Sequence, residues 1–307
     1  MRWAEAGQPP APRPPPPPVK KGGGCLKWTL VLMGGGFLMC CCLSLAAVES
    51  AEDPLEWKRI VTPEQKPVAN EVALGDAFVP EDLAPSSARN YHWKQTHAAW
   101  GLRYGLSEEE HTEVYARFAE LADDFAFKQG SGTSFTWAAP SECRDREWQC
   151  VFDTLAKDNA DDVKPLTALF RKVQQEKRLN ALQTTELVVS FVQNITYRLP
   201  TEETAAFGML PPAIVVGDGS GDCDSKALLA VVMLRQLGID AVVLLGSSLG
   251  HAALGVGLPV TGKKFALNGK KYVFVEVTTP GWALGALPPE YDVPKAWRVI
   301  PVDVPVE

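Results

Sequence analysis

The chain has 307 residues, 46% of them hydrophobic, with a net charge of −7, which is enough apolar material for a substantial folded domain with accessory segments. The first 27 residues carry +4 and the remainder therefore −11. Acidity of that order, with no basic stripe interleaved with aromatics, excludes nucleic acid as the expected partner.

Residues 1–27 hold eight prolines, including the run Pro14 to Pro18, five basic residues and one acid, a composition that predicts a disordered, polyproline-like cytoplasmic tail. Residues 28–48 follow as an uncharged stretch of about 20 residues, long enough to cross a hydrocarbon core of about 30 Å. Lys20, Lys21 and Lys27 precede it, and Glu49, Glu52 and Asp53 follow it. Positive flanks stay in the cytoplasm, so the expectation is a single membrane anchor or a cleaved signal, with the main domain exported to the periplasm or cell exterior.

Residues 49–90, rich in Pro, Ala and acids, read as a linker with short strands at most. Residues 91–160 read as a helical accessory region. Within it Ser107 and Glu110 form a capping pattern ahead of a helix from His111 to Phe127, where Val114, Phe118, Leu121 and Phe125 recur at helical spacing. Cys143 and Cys150 bracket six residues and offer a small disulfide in an oxidising compartment. A zinc site on the same pair lacks the histidines or close cysteine spacing that zinc calls for. Two amphipathic helices, Val163 to Gln175 and Thr185 to Ile195, come next.

The run Gly217-Asp218-Gly219-Ser220-Gly221 reads as a loop, neither strand nor helix interior. An apolar helix follows, closed by Gly238, and Cys223 stands at its start. The unpaired N–H groups and positive dipole end there favour a thiolate, so the thiol pKa is expected to fall below that of a free cysteine; Asp222 and Asp224 oppose this unless they face solvent or the helix amides. Of four histidines, His251 alone shares this neighbourhood, opening a small-residue strand after the buried-looking run Ala241 to Leu245. Asn268-Gly269 then signals a hairpin, and Tyr272, Phe274 and Glu276 share one face of its second arm. An acid in an apolar strand wants a partner. Glu276 accepting Nδ1–H from His251 would leave Nε2 to take the thiol proton, a cysteine version of triad chemistry.

Cys223, His251 and Glu276, in this order on helix, strand and strand, resemble the transglutaminase-like branch of the papain-like fold. The resemblance extends to Phe191-Val192-Gln193-Asn194-Ile195-Thr196-Tyr197, to Gly221-Asp222-Cys223-Asp224, to Leu234 through Ile239, to Gly250-His251, and to Glu276 through Trp282. It covers residues 161–305. What it implies is an α+β domain in which a helix-borne cysteine packs on an antiparallel sheet, with no cofactor or metal. It also implies thiol-dependent acyl transfer on peptide or carboxamide substrates, cell-wall peptides among them, with Gln193 as an oxyanion donor beside the Cys223 N–H. This sequence departs from the family in using Glu276 where most members use Asp, and in placing Ala252-Ala253 after the histidine where many carry an aromatic wall. The second departure keeps open an alternative, a catalytically silent peptide-binding or scaffold module of the same fold.

Overall fold

The computed structural model describes residues 65–84, 87–95, 98–130, 135–200 and 206–306. The expected tail 1–27 and membrane span 28–48 lie outside these residues. Among the described residues no helix is long and apolar enough to cross a membrane.

The first element is a strand, β1 (Glu71–Val79), followed by β2 (Arg89–Gln95) and β3 (Ala98–Leu106). They form a sheet of order β1-β3-β2, with β1 parallel and β2 antiparallel to β3. The expected linker therefore ends well before residue 90, and the region from 91 onward opens on strands before its helices. The cause is a period of two in the large side chains: Tyr91 and Trp93 in β2, and Trp100, Leu102, Tyr104 and Leu106 in β3, are all buried and line one face of each strand, while Gly101 and Gly105 on the other face of β3 are buried as well.

Next come α1 (Glu108–Asp124), the short pair β4 (Lys128–Gln129) and β5 (Phe135–Thr136), then α2 (Glu147–Asp158), α3 (Ala160–Glu176) and α4 (Ala181–Asn194). Ser107 caps α1 by accepting from the Glu110 N–H at 3.1 Å, and three glutamates in the first turn complement the helix dipole. Asn180 and Gln183 form a reciprocal capping box on α4. Cys143 and Cys150 are joined as a disulfide, with Cα atoms 5.9 Å apart, at the entry to α2.

The N-terminal sheet is fastened to these helices by its aromatics. Trp93 Nε1 donates to Ser190 Oγ of α4 at 3.0 Å, and the Tyr104 hydroxyl donates to the Asp162 carbonyl of α3 at 3.0 Å. Trp93 also lies against Phe170 and Phe191. Each large apolar side chain taken fully from water contributes on the order of 1.5–3 kcal/mol, so this sheet is part of the core that supports the site.

After β6 (Thr196–Tyr197) the chain enters α5 (Pro212–Asp218), β7 (Ser220–Gly221) and α6 (Cys223–Gln236). The run 217–221, expected to be loop throughout, is divided: Gly217 and Asp218 finish α5, Gly219 ends it at φ +65°, and Ser220–Gly221 pair in parallel with β6. Proline at the first helical position pre-sets the helix, and burial of the whole of α5 outweighs the cost, about 1 kcal/mol, of a glycine inside it.

The remaining strands are β8 (Ala241–Gly246), β9 (His251–Val256), β10 (Lys264–Leu267), β11 (Lys270–Val275) and β12 (Arg298–Pro301). They build an antiparallel sheet of order β10-β11-β9-β8-β12. The β10–β11 hairpin turns on Asn268 (φ 51°) and Gly269 (φ 80°), the left-handed pair that a two-residue type I′ turn requires. One face of the sheet packs Val242, Leu244, Ala253, Phe265, Tyr272 and Phe274 beneath Tyr291 and Trp297. The alternate residues point the other way, toward α6, which packs against β8 and β9 and is buried from Ser225 to Leu234.

Candidate active site

Four segments meet at the start of α6. Asp222 is its N-cap, buried, accepting from the Ser225 N–H at 3.0 Å and from the Ser225 hydroxyl; that hydroxyl oxygen accepts in turn from the Leu210 N–H at 2.7 Å. Gly221 leaves room for this closure, since a Cβ there would lie 3.2 Å from both Ser225 and Val215. Cys223, the free cysteine among the described residues, is thus held at the first helical position and is buried.

The Ala252 main-chain N–H hydrogen-bonds the Cys223 sulfur, which places the thiol beside the residue that follows His251. His251 is 4% exposed, and its Nε2 lies 2.9 Å from Glu276 Oε2. Glu276 is fully buried one residue beyond β11. Its other oxygen, Oε1, accepts from the Thr278 N–H at 2.9 Å and the Thr278 hydroxyl at 2.6 Å. The ring nitrogen assignment reverses the expected one: Nε2 faces the acid, and Nδ1 is the nitrogen left for other chemistry. His251 opens β9 and Glu276 follows β11, its antiparallel neighbour, so the acid reaches the far side of the ring.

The electrostatics differ from expectation. Burial, then the Asp224 and Asp222 carboxylates, push the Cys223 thiol well above its usual range, against the hydrogen bond from Ala252. The helix terminus alone predicted the opposite sign, but it competes here with desolvation and two flanking acids. Those acids are themselves held back: burial raises Asp222 to about 6, and burial together with Asp222 raises Asp224 well above the carboxylate range. The Cys223 thiol donates weakly to Asp224 Oδ2 at 3.8 Å. Burial also opposes ionisation of Glu276, but the His251 charge, its hydrogen bond and both Thr278 donors outweigh it and pull the carboxyl below its ordinary value.

Gln193 does not occupy the expected oxyanion position. Its Nε2 donates to the Glu276 carbonyl at 2.7 Å and the Trp282 carbonyl at 3.0 Å, which uses both amide protons. The side chain ties the end of α4 to the segment that carries Glu276. Lys226 completes the tie and was missed by the sequence reading. It is fully buried, and its Nζ donates to the carbonyls of Gln193 (3.4 Å), Ile195 (2.7 Å) and Thr278 (3.1 Å). Burial lowers its pKa to about 7. A lysine three residues after the cysteine, in a helix apolar on every side, was the available signal.

Ala252 and Ala253 give His251 no aromatic wall, and one comes from elsewhere in the chain. Tyr291 stacks on the His251 ring with centroids 4.3 Å apart and planes 15° apart, and Trp297 meets the same ring edge-on at 6.0 Å. For metals, Asp222, Cys223 and Asp224 place their ligand atoms within 4.8 Å of one another, but the carboxylate of Asp222 is already occupied as the helix cap.

The model of the transglutaminase-like superfamily matches residues 167–284, a span containing Gln193, Cys223, His251 and Glu276. Residues 167–284 form a transglutaminase-like domain. Among curated proteins no match is found. Among solved structures the chain is similar to "a putative protease from Parabacteroides distasonis", at 13% identity and a TM-score of 0.30, over 64% of this chain and 41% of that one. The match ends before Tyr291 and Trp297, so the aromatic side of the site lies beyond the part shared with the superfamily model.

Proposed function

We propose that the chain is a thiol-dependent acyl-transfer enzyme of the cell envelope, acting on peptide or carboxamide substrates through Cys223, His251 and Glu276. The observation that carries this reading is the buried His251 Nε2 to Glu276 Oε2 bond, beside a helix-borne cysteine, inside a transglutaminase-like domain. The carboxylate fixes the tautomer with hydrogen on Nε2, so Nδ1 is the lone pair that accepts the thiol proton. As the proton leaves, sulfur bonds to the substrate carbonyl carbon, and the carbonyl electron pair moves to oxygen, where the Cys223 N–H donates to it. Collapse expels the amine, which takes the proton back from His251. Water then resolves the thioester to a carboxylic acid, or an amine resolves it to a new amide.

Because burial and two acids keep the resting group a thiol, proton transfer to His251 accompanies attack rather than preceding it. Export to the periplasm or cell exterior behind a single N-terminal anchor remains part of the proposal, supported by the charge flanks of residues 28–48 and by the Cys143–Cys150 disulfide. The raised thiol also favours a second reading, a silent module that holds a peptide. Incubating the full-length chain with carboxamide-bearing peptides, with and without a primary amine, and weighing the products separates these. Conversion of a carboxamide to a carboxylic acid, or chain cleavage, marks a hydrolase; replacement of the expelled ammonia by the added amine marks a transferase; and unchanged peptides under both conditions support the silent module.

A further inference from the structure

The ring of Tyr291 lies nearly parallel to that of His251, 4.3 Å away, and is buried. Its own position is fixed twice. It ends a short 3-10 turn, Pro289–Tyr291, and its carbonyl accepts from Trp297 Nε1 at 2.9 Å. Trp297 in turn stands edge-on to both His251 and Phe274, so the imidazole sits in a corner made of two aromatic rings. Glu276 holds the ring by its edge, which sets where Nε2 points but leaves rotation about that hydrogen bond free. A ring stacked on its face removes that rotation.

We infer that Tyr291 is a positioning residue for the reaction proposed above: its aromatic face fixes the plane of the His251 ring and stabilises the imidazolium formed when the Cys223 proton arrives. This inference rests on that reading of the site. The interaction is between a cation and a π face, and it needs the ring rather than the hydroxyl. The other charged or titratable groups that face this pocket include Glu276, Cys223, Asp222, Asp224, Tyr197 and Glu290, and substitution of Tyr291 removes none of them.

The test uses the full-length chain, with Tyr291→Leu and Tyr291→Phe. NMR titration of His251, assigned by its loss in His251→Ala, is expected to show its pKa falling by about one unit in Tyr291→Leu and staying at the wild-type value in Tyr291→Phe. Acyl transfer is expected to lose about tenfold in kcat, with KM within twofold, in the leucine variant alone. Loss of packing alone would admit water and would not lower the imidazole pKa. Equal His251 pKa values in the leucine variant and wild type overturn the inference. If Tyr291→Leu fails to fold, the wild type still decides: the stacked geometry requires upfield ring-current shifts of the His251 carbon-bound protons, and their absence overturns the inference. These NMR readouts stand whether or not the chain turns over a substrate, so an inactive wild type with a shifted His251 would count against the proposed reaction and not against the stack.

Discussion

His251 Nε2 and Glu276 Oε2 meet at 2.9 Å in a site closed to solvent, and the second oxygen of the same carboxylate is held by both the N–H and the hydroxyl of Thr278. An acid gripped on both oxygens cannot rotate, so the imidazole tautomer is set by the protein. Replacing Glu276 by Gln keeps the shape but removes the charge that stabilises imidazolium. Acyl transfer by Glu276→Gln is expected to fall by roughly 10³-fold or more with the fold retained; steady-state kinetics beside circular dichroism check this, and a loss under tenfold would remove Glu276 from the mechanism.

Asp224 is the first charge against which a Cys223 thiolate must form, since after burial it ranks largest in raising the thiol. A neutral amide there removes the repulsion, so the pH midpoint for alkylation of Cys223 by iodoacetamide is expected to move down in Asp224→Asn. Peptide mapping of the adduct across a pH series reads the shift. An upward shift would show that the Cys223 to Asp224 hydrogen bond outweighs the repulsion.

Lys226 joins α6 to three main-chain carbonyls, two around the end of α4 and one at Thr278. In Lys226→Met the stem is replaced but the carbonyls lose their donor, and each unsatisfied buried group costs about 1–3 kcal/mol. A loss of roughly 3 kcal/mol or more is expected in denaturant unfolding, together with a weakened site, because Gln193 and Thr278 both touch Glu276. Wild-type stability in that variant would show the carbonyls re-partnered.

Asp162 is raised to about 6, chiefly by burial and against the pull of Arg117, whose Nη2 lies 2.7 Å from its carboxylate. In the unfolded chain the group titrates near 4. Between those values the folded state binds more protons than the unfolded one, so this group makes stability fall as pH rises from about 4 to about 6. Asp162→Asn should flatten that fall by at most about 3 kcal/mol in unfolding measured across the window. A steeper fall in the variant would show that the Arg117 pair outweighs the burial.

The parts of the molecule that local chemistry decides were legible in the residues. Asn268-Gly269 can hardly do anything but turn a hairpin, and a glycine-flanked cysteine ahead of an unbroken apolar run reads as a helix start. Long-range partners were not legible. Which nitrogen of His251 faces Glu276 depends on how β9 and β11 are registered, and the occupation of Gln193 depends on carbonyls 83 and 89 residues away. Tyr291 reaches His251 from a segment with no periodicity to announce it. The strands β2 and β3 did carry a period-two pattern of large apolar side chains, but Gly101, Arg103 and Gly105 between those of β3 obscured it. The thiol's raised pKa was missed because a helix terminus is visible in sequence while the depth of burial around it is not.

Single-turnover acylation by p-nitrophenyl acetate, followed in the full-length wild type and in His251→Ala, tests most directly whether Cys223 and His251 act together. The account predicts release of about one equivalent of nitrophenol per chain at neutral pH, an acetyl adduct mapped to Cys223, and a rate lower by roughly 10²-fold or more in His251→Ala. Equal rates in the two proteins, or an adduct that maps away from Cys223, would contradict it.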